Sequence, residues 1–173
     1  MNNKTLKTDR HDLRIVWLTS LAITIYVVEA TLPSPLPGVK PGLANIVTLF
    51  TLYYFGFSSA VWVSLLRVLA GSLLLGTFLS PAFFLSLSGA CCSLLVLALT
   101  RKLPLSLFGL SLLASLAHML GQFFTAYFLF IPHSGLFHLL PILMTAALVF
   151  GLVSGTIAHA TLKQLKTKPI SLS

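Results

Sequence analysis

The sequence predicts an all-α integral membrane protein, a bundle of about six transmembrane helices with both termini in the cytoplasm. Of its 173 residues, 57% are hydrophobic and 8% are charged, and the mean hydropathy is +0.98, well above the values of soluble domains. A span needs about 20 apolar residues, so the length admits roughly eight at most. Proline, glycine and basic residues divide the apolar sequence into six segments.

The polar residues 1–14 are predicted to form a cytoplasmic tail that leads into span one, from about Ile15 to Leu32, in which Glu29 is the charged residue. Residues 33–42 contain four of the nine prolines. Because proline lacks a backbone N–H and breaks helices, this stretch is predicted to be a loop on the outer side.

The remaining spans follow from the breaks between them. Span two runs from about Leu43 to Phe57, and residues 56–59 separate it from span three, which reaches Leu79. Span four follows Ser80-Pro81 and ends near Thr100, span five lies between residues 101–104 and 131–135, and span six covers about 136–162. The transmembrane domain is thus predicted to extend over residues 15–162, with a second cytoplasmic tail at residues 163–173.

The basic residues predict the orientation. With six spans, both tails and the loop near residue 101 lie on one side, and they contain nine of the eleven basic residues: Lys4, Lys7, Arg10, Arg14, Arg101, Lys102, Lys163, Lys166 and Lys168. Short loops rich in lysine and arginine remain in the cytoplasm. We therefore expect a multi-pass protein of the bacterial cytoplasmic (inner) membrane, and the net charge of +8 does not indicate a nucleic-acid partner.

Polar residues within the apolar segments are the candidates for a substrate-binding site, since ionisable groups are costly in the bilayer. At about 1.5 Å per residue, Glu29 and His118 lie about 20 Å above the cytoplasmic side and Arg67 near the midplane. A polar cavity that opens outward explains this common depth. The predicted substrate-binding residues are Glu29, Asn45, Arg67, His118 and Gln122, and Lys40 and His138 are candidates for its loop or rim.

Structural roles are the alternatives for several of these residues. Glu29 and Arg67 could form an ion pair without any ligand, and His118 could hydrogen-bond a neighbouring helix. Gly151 and Gly155 form a GxxxG pattern in span six, which lets helix backbones approach closely. We predict that this pattern packs inside the bundle, with contact to another subunit as the alternative.

Several classes of enzyme are disfavoured by missing motifs. The chain has no GxxxxGK phosphate loop, no Cys/His zinc pattern and no nucleophile elbow. A polyprenyl diphosphate synthase needs aspartate clusters that hold magnesium on the diphosphate, whereas the aspartates here are Asp9 and Asp12 in the tail. We therefore expect a protein that is not an enzyme and that needs neither a metal nor a cofactor.

An ordered set of segments resembles the Gx transporter family, whose members are often labelled heptaprenyl diphosphate synthase component I. The resemblance extends from Glu29 to Gly155 and includes the buried arginine of span three. Its segments are Glu29 to Pro33, Pro37 to Asn45, Arg67, Ser86-Leu-Ser-Gly-Ala90, His118-Met-Leu-Gly-Gln122 and Leu140-Pro141.

That family is similar to the S components of energy-coupling-factor transporters, which are six-helix proteins that capture a vitamin-like molecule on the outer side. The resemblance implies that the loop at residues 33–42 helps to cover a ligand. S components often carry an Ala-xxx-Ala pattern on the first span that contacts a coupling subunit. Here Tyr26 stands between Ala22 and Ala30, so the resemblance does not extend to that docking contact.

Two functions follow as expectations. The first is capture or uptake of a small molecule, with the bilayer and an energy-coupling module as partners. The second is a noncatalytic membrane subunit or scaffold of a polyprenyl diphosphate synthase, or of a quinone or redox enzyme complex. In the second case, the polar residues in the spans serve helix packing.

Overall fold

A computed structural model describes residues 10–31, 39–40, 42–43, 45–100 and 102–167. Within these ranges every regular element is a helix: α1 (Arg10–Glu29), α2 (Asn45–Leu74), α3 (Pro81–Thr100), α4 (Leu107–Thr125) and α5 (Leu140–Thr167). A π-helical turn, Ala126–Phe130, extends α4, and a 3-10 helix, Ser134–Leu139, leads into α5. Most of the predicted loop at 33–42 lies outside the described residues.

The outer helices extend beyond the predicted spans at both ends of the described chain. Helix α1 begins at Arg10 rather than near Ile15, and α5 continues to Thr167 rather than ending near residue 162. Helical hydrogen bonds do not depend on an apolar environment, so a helix can continue into the polar sequence at a membrane surface. The predicted tails are therefore partly helical in the described residues.

Helix α2 consists of two halves that fold back on each other. Gly56 interrupts it with φ of 84° and ψ of 177°, a conformation that essentially only glycine adopts. The Arg67 guanidinium donates a hydrogen bond of 2.8 Å to Asn45, 22 residues away. A straight helix would separate these residues by about 33 Å, so the chain must reverse near Gly56, inside the predicted break at residues 56–59.

The helices pack mainly with their neighbours in sequence: α1 on α2, α3 on α4 and α4 on α5. Glycines allow the close approach of α4 and α5, because a Cβ atom at Gly151 would lie 3.1 Å from the Cβ of Ser115. The hydroxyls of Ser111 and Ser115 donate hydrogen bonds of 2.7 Å to the carbonyls of Gly151 and Ala147. The GxxxG pattern thus contacts α4 within the same chain.

Four helical segments are long and apolar enough to cross a membrane: Asn45–Leu74, Pro81–Thr100, Leu107–Phe130 and Ser134–Thr161. Helix α1 does not belong to this group, and its 20 residues include Arg10, Asp12, Arg14 and Glu29. The first of the four segments covers most of predicted spans two and three, on either side of Gly56, but it ends at Leu74 rather than at Leu79. The fold is therefore that of a helical membrane protein, while six spans and cytoplasmic termini remain predictions.

Candidate ligand-binding site

A small polar cavity lies where α1, the segment before α2, the second half of α2, α3 and α4 meet. Three of the five predicted substrate-binding residues line it, together with Lys40, which was predicted at the rim. The lining residues are Tyr26, Glu29, Lys40, Gly42, Arg67, Val68, Ser86 and His118. The other two predicted residues, Asn45 and Gln122, contact residues of this lining.

Arg67 is the central cation of the cavity and is only 2% exposed. One of its terminal nitrogens, Nη2, donates to Asn45 Oδ1 at 2.8 Å. Because arginine has no acceptor, this contact also fixes which atom of the Asn45 amide is oxygen. Among the described residues, Arg67 Nε and Nη1 and Asn45 Nδ2 have no hydrogen-bond partner. Three buried donor nitrogens are therefore left beside the cavity without an acceptor.

Glu29 lies at the end of α1 and is 3% exposed. Its Oε1 accepts a hydrogen bond from the backbone N–H of Leu43, which ties α1 to the segment before α2. The negative charge of Glu29 also acts favourably on the Arg67 guanidinium. Glu29 therefore holds Leu43 in place through one oxygen, and its charge partly compensates the charge of the buried Arg67.

Gln122 fastens the same segment to α4. Its side-chain amide is fully buried and makes two hydrogen bonds with the main chain of Lys40: Oε1 accepts from the Lys40 N–H at 2.8 Å, and Nε2 donates to the Lys40 carbonyl at 2.9 Å. Both ends of the amide are thus used. The structure places Gln122 behind the segment that covers the cavity rather than on the cavity surface.

Lys40 points inward and is 7% exposed. Its Nζ lies 3.3 Å from the centre of the Tyr26 ring, a geometry in which the ring's negative face attracts a cation. Burial lowers the pKa of Lys40 to about 8; the Glu29 carboxylate opposes this shift, and Arg67 adds to it. Lys40 is therefore a cation at neutral pH that can lose its proton in mild base.

Tyr26 and Gly89 are residues of the site that the sequence analysis missed. Tyr26 precedes Glu29 by three positions and so shares its helix face, which is the signal that could have identified it. Gly89 makes room for His118, because a Cβ atom there would lie 2.9 Å from the imidazole Nδ1 and Cε1. Ser86 and Gly89 belong to the motif Ser86-Leu-Ser-Gly-Ala90. Ser86 lines the cavity, and Gly89 leaves room for the His118 ring.

His138 lies apart from the cavity. Its ring is exposed, and Nδ1 is 3.3 Å from the carbonyl of Gly135 in the 3-10 helix before α5. Within the described ranges, no three His, Cys, Asp or Glu side chains form a group that could hold a metal ion. The polar side chains that line the cavity are those of Tyr26, Glu29, Lys40, Arg67, Ser86 and His118.

The cavity is small. Its volume is about 10 Å³, on the scale that admits a single water molecule. Lys40, Gly42 and Leu43, called here the covering segment, are held by Gln122, by Glu29 and by the contact of Lys40 with Tyr26. An organic molecule therefore needs this site to widen, and outward movement of the covering segment would widen it.

Comparison with known proteins agrees with the resemblance found in the sequence. A model of the family heptaprenyl diphosphate synthase component I matches residues 18–161. The chain belongs to this family. The matched residues begin in α1 and end in α5, so the match includes every residue that lines the cavity. No curated protein and no solved structure gives a significant match.

Proposed function

We propose that this component I protein captures a small molecule in the cavity around Arg67. The observation that supports the proposal most strongly is the buried guanidinium, whose Nε and Nη1 have no hydrogen-bond partner among the described residues. Leaving donors of a buried charged group unpaired is costly, and a ligand that supplies acceptors removes this cost.

The access side follows from the proposed topology. In six spans, the two halves of α2 form spans two and three, and the segment between α1 and α2 lies opposite both termini. Nine basic residues then face the cytoplasm, as the distribution of lysine and arginine in membrane proteins favours. On this arrangement, in the bacterial inner membrane, the covering segment faces outward and the protein captures its ligand from outside.

The same proposal treats the protein as noncatalytic. The chain carries neither a phosphate loop nor an aspartate pair outside its first 14 residues, so it needs an energy source from elsewhere to complete transport. A partner ATPase module or an ion gradient could supply it. Under this proposal, the polar residues bind and orient the captured molecule and carry out no bond-breaking step.

The family name favours a second candidate function. Heptaprenyl diphosphate synthase component I implies a synthase with at least one further subunit, and this chain would be its noncatalytic membrane subunit. In that case, the contacts of Glu29, Arg67 and Gln122 only hold the helices and the covering segment together. The two proposals therefore differ in whether the cavity is ever occupied by a small molecule.

Native mass spectrometry of the gently extracted protein tests both proposals at once. Capture predicts a small molecule bound to the wild type and absent from Arg67→Met, with Thr156→Val as a control because that hydroxyl bonds only its own helix. The Arg67→Lys variant keeps the charge should Arg67→Met fail to fold. A stoichiometric synthase subunit without any small molecule would instead support the second function and overturn capture.

A further inference from the structure

We infer that the cavity binds one carboxylate group, so that the captured molecule is an organic monocarboxylate. This inference rests on the proposed capture function and names its ligand class. It depends on three properties of the described residues: the hydrogen-bonding type of the unpaired atoms, the sum of the charges that line the cavity, and the size of the space.

Most of the unpaired nitrogens at the cavity require an acceptor, while the Tyr26 and Ser86 hydroxyls and His118 Nδ1, also unpaired in the described part of the chain, can donate or accept. Arg67 Nε, Arg67 Nη1 and Asn45 Nδ2 can only donate hydrogen bonds, and none has a partner among the described residues. Asn45 Nδ2 borders the lining, since a Cβ atom at Gly42 would lie 3.3 Å from it. The ligand group that fits these three nitrogens must therefore be rich in lone pairs.

A single water does not meet this requirement. The cavity has room for about one water molecule, and a water offers two lone pairs to three donor nitrogens. A carboxylate offers about four lone-pair sites on two oxygens. Hydrogen bonds from charged donors to such oxygens are also roughly twice as strong as neutral ones. The excess of donors therefore favours a carboxylate over bound water.

The charges around the cavity favour a group with one negative charge. Arg67 and Lys40 are cations and Glu29 is an anion, and all three line the space. One carboxylate balances the remaining positive charge. A phosphate monoester carries about −1.5 to −2 at neutral pH and would leave the buried site negative beside Glu29, which is unfavourable in a region of low dielectric. Charge balance therefore favours a carboxylate over a phosphate as the bound group.

The size of the cavity indicates how the ligand is accommodated. A space that admits about one water molecule is too small for a whole carboxylate group. We therefore expect Lys40, Gly42 and Leu43 to move away from Arg67 when the group binds. Lys40 travels with the covering segment, so the ligand carboxylate comes to lie between a cation fixed on α2 and a cation on that segment.

Thermal unfolding of the purified full chain with small probes tests the inference. We expect sodium acetate to raise the midpoint in a saturable manner, and acetamide, its neutral counterpart of similar shape, to have no such effect. Sodium chloride and sodium phosphate serve as controls at equal ionic strength. Arg67→Lys should weaken acetate binding by at least about tenfold, as loss of a planar, fork-shaped donor set does, whereas Thr156→Val should not change it.

Competition in the wild type keeps the test independent of whether variants fold. The saturation-transfer NMR signal of acetate should disappear when a larger monocarboxylate such as benzoate is added. It should remain when acetamide is added. Equal binding of chloride would identify a site for small inorganic anions and overturn the inference, as would stronger binding of phosphate. Failure of every carboxylate, with a copurified neutral molecule still bound, would overturn the ligand class while leaving capture intact.

Discussion

The Arg67 guanidinium and the Asn45 side-chain amide join the two halves of α2 by a hydrogen bond of 2.8 Å, and Gly56 is equidistant from them in the sequence. The bond does two things at once. It closes the hairpin of α2, and it holds Arg67 where it lines the cavity together with residues of α1, α3 and α4. The shape of α2 and the chemistry of the site are therefore coupled.

Asn45→Leu should destabilise the protein and disturb the site together. The substitution removes the acceptor of Arg67 Nη2 and leaves a third guanidinium nitrogen buried without a partner, which costs about 1–3 kcal/mol. We expect a lower unfolding midpoint in detergent and weaker binding of acetate. Thr145→Val is the control, because this exposed hydroxyl bonds only the carbonyl of Ile142 in its own helix. Equal midpoints for both variants would show that the Asn45 contact does not hold the hairpin.

Gly56→Ala should destabilise the reversal of α2 by about 1–3 kcal/mol. A Cβ atom at this position meets no neighbour within 4 Å, so the loss comes from the backbone conformation at φ of 84° and not from crowding. Gly109→Ala is a matched control in α4, where an added Cβ makes only ordinary contacts and alanine favours the helix. Thermal unfolding should show opposite signs for the two variants. A stabilised Gly56→Ala protein would mean that α2 is a continuous helix.

The sequence predicts site residues best where an ionisable side chain stands in an apolar segment. Glu29, Arg67 and His118 stand out because ionisable groups are rare in apolar segments, and all three line the cavity. Tyr26 does not stand out, since tyrosine is ordinary in membrane proteins. Its role depends on Lys40, which reaches it only after the chain has folded back.

Lys40 shows the limit of reading a loop from its composition. A lysine among prolines is predicted to face water, and we placed it at the rim. The structure buries it because the Gln122 amide pairs with both backbone groups of Lys40 and draws the segment inward. Those partners are 82 residues apart, so only the packing of α4 against this segment reveals them.

Gly151→Val should disrupt the packing of α4 against α5. Even a Cβ atom would lie 3.1 Å from Ser115 Cβ and 3.3 Å from Leu112 Cα, and the added methyl groups must push the helices apart. Overpacking of this kind costs about 1–3 kcal/mol, measurable as a lower unfolding midpoint. The neighbouring Val153→Leu variant changes an exposed residue and should be neutral. An unchanged midpoint would contradict the close packing of α4 and α5 at Gly151.

Gln122→Leu should release the covering segment while leaving the helices folded. Both hydrogen bonds to the main chain of Lys40 are lost, and leucine cannot replace either of them. We expect hydrogen exchange at Val39 and Lys40 to become faster, with exchange in α3 unchanged. Acetate should also enter and leave more quickly. His138→Ala is the control, because this exposed ring lies outside the cavity lining. Unchanged exchange in the leucine variant would show that Glu29 and Tyr26 suffice to hold the segment.

Binding of a carboxylate should weaken as the pH rises from about 7 to 9. With a pKa of about 8, Lys40 is roughly 90% charged at the lower value and roughly 10% charged at the higher. Arg67 keeps its charge throughout, so binding falls but is not abolished. The bound carboxylate stabilises the ammonium form of Lys40. Binding above pH 8 should therefore be accompanied by uptake of a fraction of a proton per site.

The Lys40→Met variant tests whether Lys40 itself causes this pH dependence. The other groups that face Lys40 in the cavity are Tyr26, Glu29, Arg67 and His118. Methionine keeps a long apolar side chain against the Tyr26 ring but cannot titrate. Acetate affinity in this variant should be nearly constant between pH 7 and 9 and close to that of the wild type at pH 9, as measured by the shift in unfolding midpoint. A variant that keeps the full pH dependence would assign the titration to a group other than Lys40.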